Sequence, residues 1–361
     1  MSIVYYGGLD VHQKTIVAFF FCPETGDCWE EGVPNDRVHL LRAVSRWRRR
    51  GELRVCYEAS GAGFVLKRWL DEVDVPCDVV ASAFIPRGPG DRVKTDRRDA
   101  RNLAQLYAAG LLRTVRVPSE EEETVRALVR HRDDLTRDMT RMKNRILKFL
   151  GLLGLRYTEG KNWTKRHRQW LHDLHLGTLQ GIVLQDHLAN LEELERQRAE
   201  VDRKIAEIAE MPPYREPVQR LMCLRGIALY SAMAIVTELG DATRFRGASA
   251  VMSYLGLVPR EHSSGDRRRN GGITKVGNRR GRWVLIEAAR NQSRPPARNA
   301  RLQKQRKTQP EAVVALAVKA EERLHRKFWK IAVRKDRNTA AVAVAREMAG
   351  FVWALMTMEV A

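Results

Sequence analysis

The chain has 361 residues, of which 44% are hydrophobic, and a formal net charge of +20 at pH 7. This length suits two or three domains, and the apolar content excludes a wholly disordered chain. The surplus of Lys and Arg is typical of a surface that binds nucleic-acid phosphates. No stretch approaches the roughly 18 consecutive apolar residues of a membrane span, and no basic leader opens the chain, so we expect neither a membrane span nor secretion.

The five cysteines are scattered along the chain. Their number is odd and no two of them form a CxxC pair, which favours neither a zinc site nor a disulfide framework. The cysteine pattern therefore indicates a cytoplasmic protein with reduced thiols.

The first 117 residues alternate strand-like and helix-like segments. An apolar run over residues 3–9 predicts a buried strand, and a second run over 15–21 predicts the next. Further predicted segments are a helix over 38–49, a strand over 53–57, a helix over 64–72 and a strand over 77–81. Strands separated by helices predict an α/β domain with a central sheet.

Four carboxylates stand at the ends of these elements. Asp10 and Glu58 each end a predicted strand. Asp96 and Asp99 share one face of the first turn of a helix that Thr95 caps. Such positions converge at one edge of an α/β sheet, where the acids could hold one or two divalent ions against nucleic-acid phosphate. The alternative is structural, because acids at strand ends are common turn residues and acids in a first helical turn complement the helix dipole.

Residues 119–211 have a long helical pattern. Basic residues recur along the helix predicted over 119–155, from Arg126 onward, and indicate either a solvated helix surface or a nucleic-acid contact. Trp163 to Trp170 mixes aromatic and basic residues, which suits either base stacking or tryptophan packing. A heptad pattern from about Leu184 to Met211, interrupted at Arg198, predicts a coiled-coil helix. Its partner is either the preceding helix or another subunit, and an ordinary amphipathic helix is the alternative.

The last third of the chain is predicted to be mostly helical. Leu221 to Gly240 is typical of a helix, a turn and a second helix. The turn is similar to a helix-hairpin-helix, whose amides can bind a DNA phosphate, although Ala228 stands where the second glycine would be. A further helix is predicted over 248–255, and helical sequence over 310–358.

A loop with Ser263, Ser264 and Gly265 precedes a dense run of cations. These cations are Arg267, Arg268, Arg269, Lys275, Arg279, Arg280 and Arg282. A hydroxyl among cations can attack a phosphodiester, because the cations stabilise the developing charge. A polar loop before a DNA-binding patch explains the same residues without chemistry, and it is the simpler interpretation.

Two groups of motifs stand out along the chain. The N-terminal motifs are Gly8-Leu9-Asp10-Val11-His12, Tyr57-Glu58-Ala59-Ser60-Gly61 and Lys94-Thr95-Asp96-Arg97-Arg98-Asp99-Ala100. The C-terminal ones are Gly256-Leu257-Val258-Pro259-Arg260-Glu261-His262-Ser263-Ser264-Gly265 and Ile273-Thr274-Lys275-Val276-Gly277-Asn278-Arg279-Arg280. Taken together and in order, these motifs resemble those of the insertion-sequence-110 family of transposases, and the Piv-type DNA invertases are similar.

The resemblance implies an α/β domain followed by mostly α structure. Residues 1–117 would form a RuvC-like, ribonuclease-H-like domain, 118–213 long coiled-coil helices, and 214–361 a helical transposase domain. It further implies an Mg²⁺ site, with Mn²⁺ as a substitute ion, whose ligands are Asp10, Glu58, Asp96 and Asp99. A serine, Ser264 or its neighbour Ser263, would form a covalent phosphoserine link to DNA.

The implied activity is DNA recombination and transposition in the bacterial cytoplasm, at the nucleoid. The implied partners are donor DNA, target DNA and a noncoding bridge RNA that pairs with both. Family members form dimers that assemble into tetramers, so that the acids and the serine can come from different subunits. The alternative function is a RuvC-type junction nuclease, in which water attacks and the serine loop only binds. A third is a non-catalytic nucleic-acid-binding protein.

Overall fold

The computed structural model describes residues 3–59, 61–86, 95–261, 270–296 and 300–359. The chain divides into two compact units, Met1–Pro118 and Ser119–Ala361. The first is mixed α/β with a central sheet, consistent with the expected ribonuclease-H-like domain, and the second is mostly helical. The three-segment division of the chain stays a prediction, because helices from 118–213 and 214–361 share one hydrophobic core.

The sheet of the first unit has five strands. They are β1 (Val4–Val11), β2 (Thr15–Phe21), β3 (Cys28–Pro34), β4 (Glu52–Glu58) and β5 (Cys77–Val80). Their order is β3-β2-β1-β4-β5, with β2 antiparallel to β1 and β3, and β4 parallel to β1 and β5. The predicted strands are confirmed. β3 is an addition, since this edge strand exposes most of its residues and lacks a strong apolar pattern.

The helices of the first unit also agree with the sequence pattern. They are α1 (Arg37–Trp47), α2 (Val65–Asp71) and α3 (Asp96–Ala108), with a short 3-10 turn at Ser82–Phe84. The hydroxyl of Thr95 accepts a hydrogen bond from the backbone N–H of Arg98 at 3.4 Å, which confirms the predicted cap. All five cysteines of the protein are free thiols.

Helix α3 lies directly on the sheet at Gly8 of β1. A Cβ atom at this position would lie 2.1 Å from the carbonyl oxygen of Ala100 and 2.5 Å from the nitrogen of Ala104. Gly8 pairs with Cys56 of β4, whose sulfur lies 3.9 Å from the carbonyl oxygen of Leu103. Side chains alternate between the two faces of a sheet along each strand. Helix α3 therefore covers the face on which Gly8 of β1, Cys56 of β4 and every second residue from them lie.

In its described residues, the second unit consists of helices and one small hairpin. Its described helices are α4 (Glu120–Leu152), α5 (Lys165–His172), α6 (Thr178–Ala209), α7 (Arg215–Leu221), α8 (Leu229–Leu239), α9 (Ala248–Tyr254), α10 (Arg279–Arg290), α11 (Ala300–Arg306), α12 (Glu311–Ala332) and α13 (Arg337–Thr357). The hairpin strands are β6 (Pro259–Glu261) and β7 (Asn270–Ile273), and short 3-10 turns lie at Ala242–Arg244 and Asn291–Ser293.

The predicted coiled-coil helix is α6, and it packs against α4 of the same chain. Arg132 of α4 donates to Asp202 of α6 at 2.9 Å, whereas Leu150 of α4 shares a cluster with Leu184 of α6. The two helices therefore run antiparallel. The apolar residues of the first heptad register are buried, namely Leu184, Leu191 and Ile205.

The aromatic segment after α4 forms a small core. The ring of the buried His167 lies 5.1 Å from that of Trp163 and 5.7 Å from that of Trp170. Of the two predicted roles for these tryptophans, the structure therefore supports packing.

The predicted segment similar to a helix-hairpin-helix differs from the structure at its start. Helix α7 ends at Leu221, where the first helix was expected to begin, so the connection to α8 spans residues 222–228. Within it, Arg225 donates to the backbone oxygen of Pro295 at 2.6 Å and lies 3.3 Å from Glu321. Phosphate binding by the turn amides stays a prediction.

Helix α13 is long and apolar enough to span a membrane by length and composition alone. Its buried residues, such as Val344, Met348 and Val352, belong to the main core of the second unit. It packs there against α9, α10 and α12. The arrangement is that of a core helix.

The buried carboxylate of Glu238 joins α8 to α4 and to the start of α10. Arg130 donates to both of its oxygens at 2.8 Å, and the side-chain amide of Asn278 donates to it at 2.8 Å. Burial by itself raises the pKa of Glu238, but the hydrogen bonds from Arg130 and Asn278 and the charge of Arg130 outweigh it. The pKa therefore lies below its ordinary value.

We predict that Gly8→Ala lowers the free energy of unfolding by about 1–3 kcal/mol, because the new methyl group would overlap the backbone of α3. Gly32→Ala on β3 is the matched control, since a Cβ there would meet nothing within 4 Å. Urea denaturation of the two variants measures the difference. Equal midpoints would show that α3 does not approach the sheet this closely.

We predict that Glu238→Gln lowers the free energy of unfolding by roughly 1–3 kcal/mol, less than the roughly 3–5 kcal/mol of a fully buried pair because Arg130 is half exposed. Since the pKa of Glu238 is lowered, its contribution is present above the unfolded-chain pKa of about 4.3 and is lost as the pH falls through the lower folded value. Denaturation at neutral and acidic pH measures both effects. Glu193→Gln, which removes one partner of an exposed pair with Arg196, should have little effect.

Candidate metal centre and serine loop

Two of the predicted acids meet at the carboxyl end of β1. Asp10 is the penultimate residue of this strand, and Asp96 opens α3. The Nε2 atom of His12 lies between them, 3.2 Å from Oδ2 of Asp10 and 3.3 Å from Oδ2 of Asp96. The three potential ligand atoms all lie within 4.8 Å of one another. Carboxylate oxygens and an imidazole nitrogen in this arrangement can bind a divalent cation.

The surroundings of Asp10 favour a positive partner. Its side chain is 22% exposed, whereas that of Asp96 is 58% exposed. Burial raises the pKa of Asp10, and the charges of Asp96 and Asp99 raise it further, while His12 opposes them. The net shift is upward. A cation at this position would relieve both the desolvation and the repulsion between the carboxylates.

Glu58 and Asp99 lie next to this pair in the fold. In the parallel register of β1 and β4, Leu9 pairs with Tyr57. Extending the register by one residue sets Glu58, which ends β4, beside Asp10. Asp99 lies in the same first turn of α3 as Asp96, and its charge reaches Asp10. The structure thus assembles the elements that carry all four acids, and their role as metal ligands stays a prediction.

His12 also belongs to this cluster, although its role as a potential ligand was not predicted from the sequence. Its backbone is fixed in the turn between β1 and β2, where its N–H donates to the carbonyl oxygen of Thr15 at 2.9 Å. The side-chain amide of Asn35 donates to its carbonyl oxygen at 2.7 Å. The sequence does contain a signal that could have identified His12. If the period-two alternation of β1 is continued one residue past the strand, residues 10 and 12 lie on the same face.

The predicted serine loop lies between the strands of the small hairpin. Ser263 and Ser264 fall outside the described residues, as do Arg267, Arg268 and Arg269. β6 and β7, on either side of residues 262–269, pair antiparallel, with Pro259 opposite Ile273. The two chain segments that flank the predicted nucleophile are therefore held next to each other.

The segment that follows β7 is anchored to the end of α9. The N–H of Asn278 donates to the carbonyl oxygen of Tyr254 at 2.8 Å. Gly277 has a φ of +115°, and a Cβ there would lie 2.2 Å from the same oxygen, so this position requires glycine. The side chain of Asn278 also caps α10 by accepting from the N–H of Gly281 at 2.8 Å.

The predicted basic patch divides into exposed and interior cations. Lys275 and Arg279 are exposed. Arg280 forms an ion pair with the buried Asp133. Arg282 is buried and donates to the carbonyl oxygen of Leu255 at 2.7 Å, and burial lowers its pKa. The structure thus gives Arg280 and Arg282 contacts inside the protein, and nucleic-acid binding by the patch stays a prediction.

Comparisons with known proteins relate two separate parts of the chain to the same group of transposases. Residues 7–153 match the DEDD transposase model of the IS110 group, and residues 218–304 match the model of the transposase IS116/IS110/IS902 family. A Sinorhizobium fredii protein named "Putative transposase y4qE" is 38% identical over 353 residues, which cover 96% of this chain and 87% of the relative. "Transposase for insertion sequence element IS1533" of Leptospira borgpetersenii is 32% identical over 343 residues, covering 92% and 98%.

A transposase binds DNA and cleaves or transfers its strands. The DEDD domain and the acidic cluster at Asp10 both indicate that a divalent metal ion takes part. The resemblance to the insertion-sequence-110 transposases is thereby confirmed, while the relation to the Piv-type invertases stays a prediction. The chain belongs to the IS110/IS116 family of insertion-sequence transposases.

Proposed function

We propose that this transposase cuts and rejoins donor and target DNA with a metal-binding acidic site and a serine nucleophile. The observation that carries the proposal is the convergence of Asp10 and Asp96, which lie far apart in sequence, at the end of β1. The proposed residues are Asp10, Glu58, Asp96 and Asp99 as metal ligands and Ser264 as the nucleophile, with Ser263 as the alternative.

The four acids would bind one or two divalent ions, Mg²⁺ or alternatively Mn²⁺, which polarise the scissile phosphate. Asp10 is suited to the central position, because its partial burial leaves few waters to compete with a cation. Asp96 reaches it from α3, and Glu58 and Asp99 would complete the set. His12, in contact with Asp10 and Asp96, would orient their carboxylates.

Ser264 would act as the nucleophile of strand cleavage. Its hydroxyl oxygen would bond to phosphorus as the bond to one deoxyribose oxygen breaks, and that oxygen would leave with a proton. The phosphoserine link preserves the energy of the phosphodiester, so that a DNA hydroxyl can later rejoin the strand by the reverse step. The family match over residues 218–304, which includes this serine, supports the assignment, and the flanking strands β6 and β7 pair with each other.

A noncoding bridge RNA would select donor and target DNA by base pairing, as the family resemblance implies. The net charge of +20 supports the binding of several nucleic-acid strands. The protein would form dimers that assemble into tetramers on the two DNAs at the nucleoid, since rejoining strands from two DNAs requires both to be held at once.

We predict that Asp10→Asn and Asp96→Asn each slow DNA strand cleavage at least about 100-fold, because loss of a ligand charge removes several kcal/mol of metal-dependent stabilisation. Cleavage assays with Mg²⁺, together with Mn²⁺ binding measured by electron paramagnetic resonance, test this. Asp71→Asn is the control, since Asp71 is exposed on α2 and pairs with Lys67. Unchanged cleavage and Mn²⁺ binding in the two site variants would overturn the metal assignment.

We predict that Ser264→Ala abolishes a covalent protein–DNA adduct that survives denaturation, whereas Ser263→Ala retains it. End-labelled DNA analysed on denaturing gels gives the measurement. The reverse pattern would assign the nucleophile to Ser263. Metal-dependent cleavage without any adduct, unchanged in both variants, would instead support the junction nuclease in which water attacks.

A further inference from the structure

A strongly basic groove lies along α12, in the second unit. Its volume is about 850 Å³, and it is lined by α12, the connection to α13 and one acid of α13. The lining residues, which we call the α12 groove, are Arg323, Arg326, Lys327, Lys330, Ile331, Arg334, Lys335 and Glu347. Six cations thus face a single carboxylate.

Part of this charge is neutralised and part of it is free. Glu347 pairs with Arg323 and with Lys327. Arg326, Lys330 and Arg334 are exposed, and no acid in the described part of the chain lies within ion-pair distance of them. These exposed cations repel one another, which raises the free energy of the protein. An anionic partner would lower that free energy by neutralising their charge.

The cations are spaced for a repeating anion. The free cations Arg326 and Lys330 stand at the i and i+4 positions of one helix face, about 6 Å apart along the axis. Arg334, four residues further along the chain, extends the row into the connection to α13. Phosphates of one DNA strand are spaced about 3.4 Å along the helix axis, so successive free cations are spaced to meet about every second phosphate.

We infer that the α12 groove binds the phosphate backbone of double-stranded DNA. The groove goes beyond the proposed catalytic site, since its residues belong to neither the acidic cluster nor the serine loop. Its lining has charged and aliphatic side chains only, so it is suited to hold DNA of any sequence.

The lining also favours duplex DNA over the other nucleic acids. Surfaces for single strands combine cations with aromatic side chains on which bases stack, and among the described residues no aromatic side chain lines the α12 groove. Double-stranded RNA is recognised through its 2′-hydroxyl groups as well as its phosphates, and no neutral hydrogen-bonding side chain of the described part of the chain lines the groove either. Phosphate contacts alone remain, and the duplex DNA that a transposase binds supplies them.

The test is a triple variant of the full chain, Arg326→Gln, Lys330→Gln and Arg334→Gln. Glutamine keeps the helix propensity of Arg and Lys while removing the charge. A matched control removes three cations from α6, with Arg196→Gln, Arg203→Gln and Lys204→Gln, which pair with Glu193, Glu200 and Glu207. Both variants lose the same net charge. Fluorescence anisotropy over a range of salt concentrations measures binding to a DNA duplex of arbitrary sequence, to an RNA duplex and to single-stranded DNA.

We expect the triple variant to bind the DNA duplex at least about tenfold more weakly at moderate salt, with a salt slope smaller by about two to three, one for each lost phosphate contact. The control should keep most of the parent's affinity and slope. Equal losses in the two variants would show that only net charge matters and would overturn the inference. A loss confined to the RNA duplex or to single strands would overturn it as well.

This result is separate from the proposed reaction. Binding is measured without added metal, so its outcome does not depend on whether the acidic site or the serine cleaves DNA. Circular dichroism of the triple variant confirms that α12 is folded. A folded triple variant with the parent's affinity would leave the acidic site and the serine as proposed but would remove the groove from the DNA interface.

Discussion

The close packing of α3 on β1 at Gly8 is the constraint on which the candidate metal centre depends. Any side chain at Gly8 would overlap the backbone of α3 and force the helix away from the sheet. The first turn of α3 carries Asp96 and Asp99, so this movement would withdraw them from Asp10. The positive end of the helix dipole lies at the same turn and offsets part of the repulsion among these carboxylates.

In the second unit, the buried carboxylate of Glu238 is the interaction that joins α8 to α4 and to the start of α10. Because a buried charge is unfavourable without partners, Glu238 binds Arg130 of α4 and Asn278 at the start of α10. Asn278 follows β7 along the chain, so the hydrogen bonds that stabilise the core also fix the segment between this strand and α10. The buried Asp133 likewise forms an ion pair with Arg280. The free cations of the α12 groove, in contrast, face solvent.

Local sequence patterns were sufficient to predict most of the described helices and strands. β1, β2, β4 and β5 are predictable because each has a buried apolar run, whereas the edge strand β3 exposes Cys28, Glu30, Gly32 and Pro34 and lacks this signal. The heptads of α6 were also readable. A coiled-coil seam has the same pattern whether its partner is in the same chain or another, however, so the pairing with α4 could come only from the structure.

The sequence by itself determined that four acids lie at element ends, that the chain is basic, and which family its motifs resemble. These properties depend on residue order and local periodicity, which a single chain displays directly. Only the tertiary structure decided that His12 lies between Asp10 and Asp96 and that Arg282 is buried. It alone assembled the cations of α12 and its connection into a groove beside α13. Each of these depends on which distant residues become neighbours when the chain folds, and residue spacing does not encode that directly.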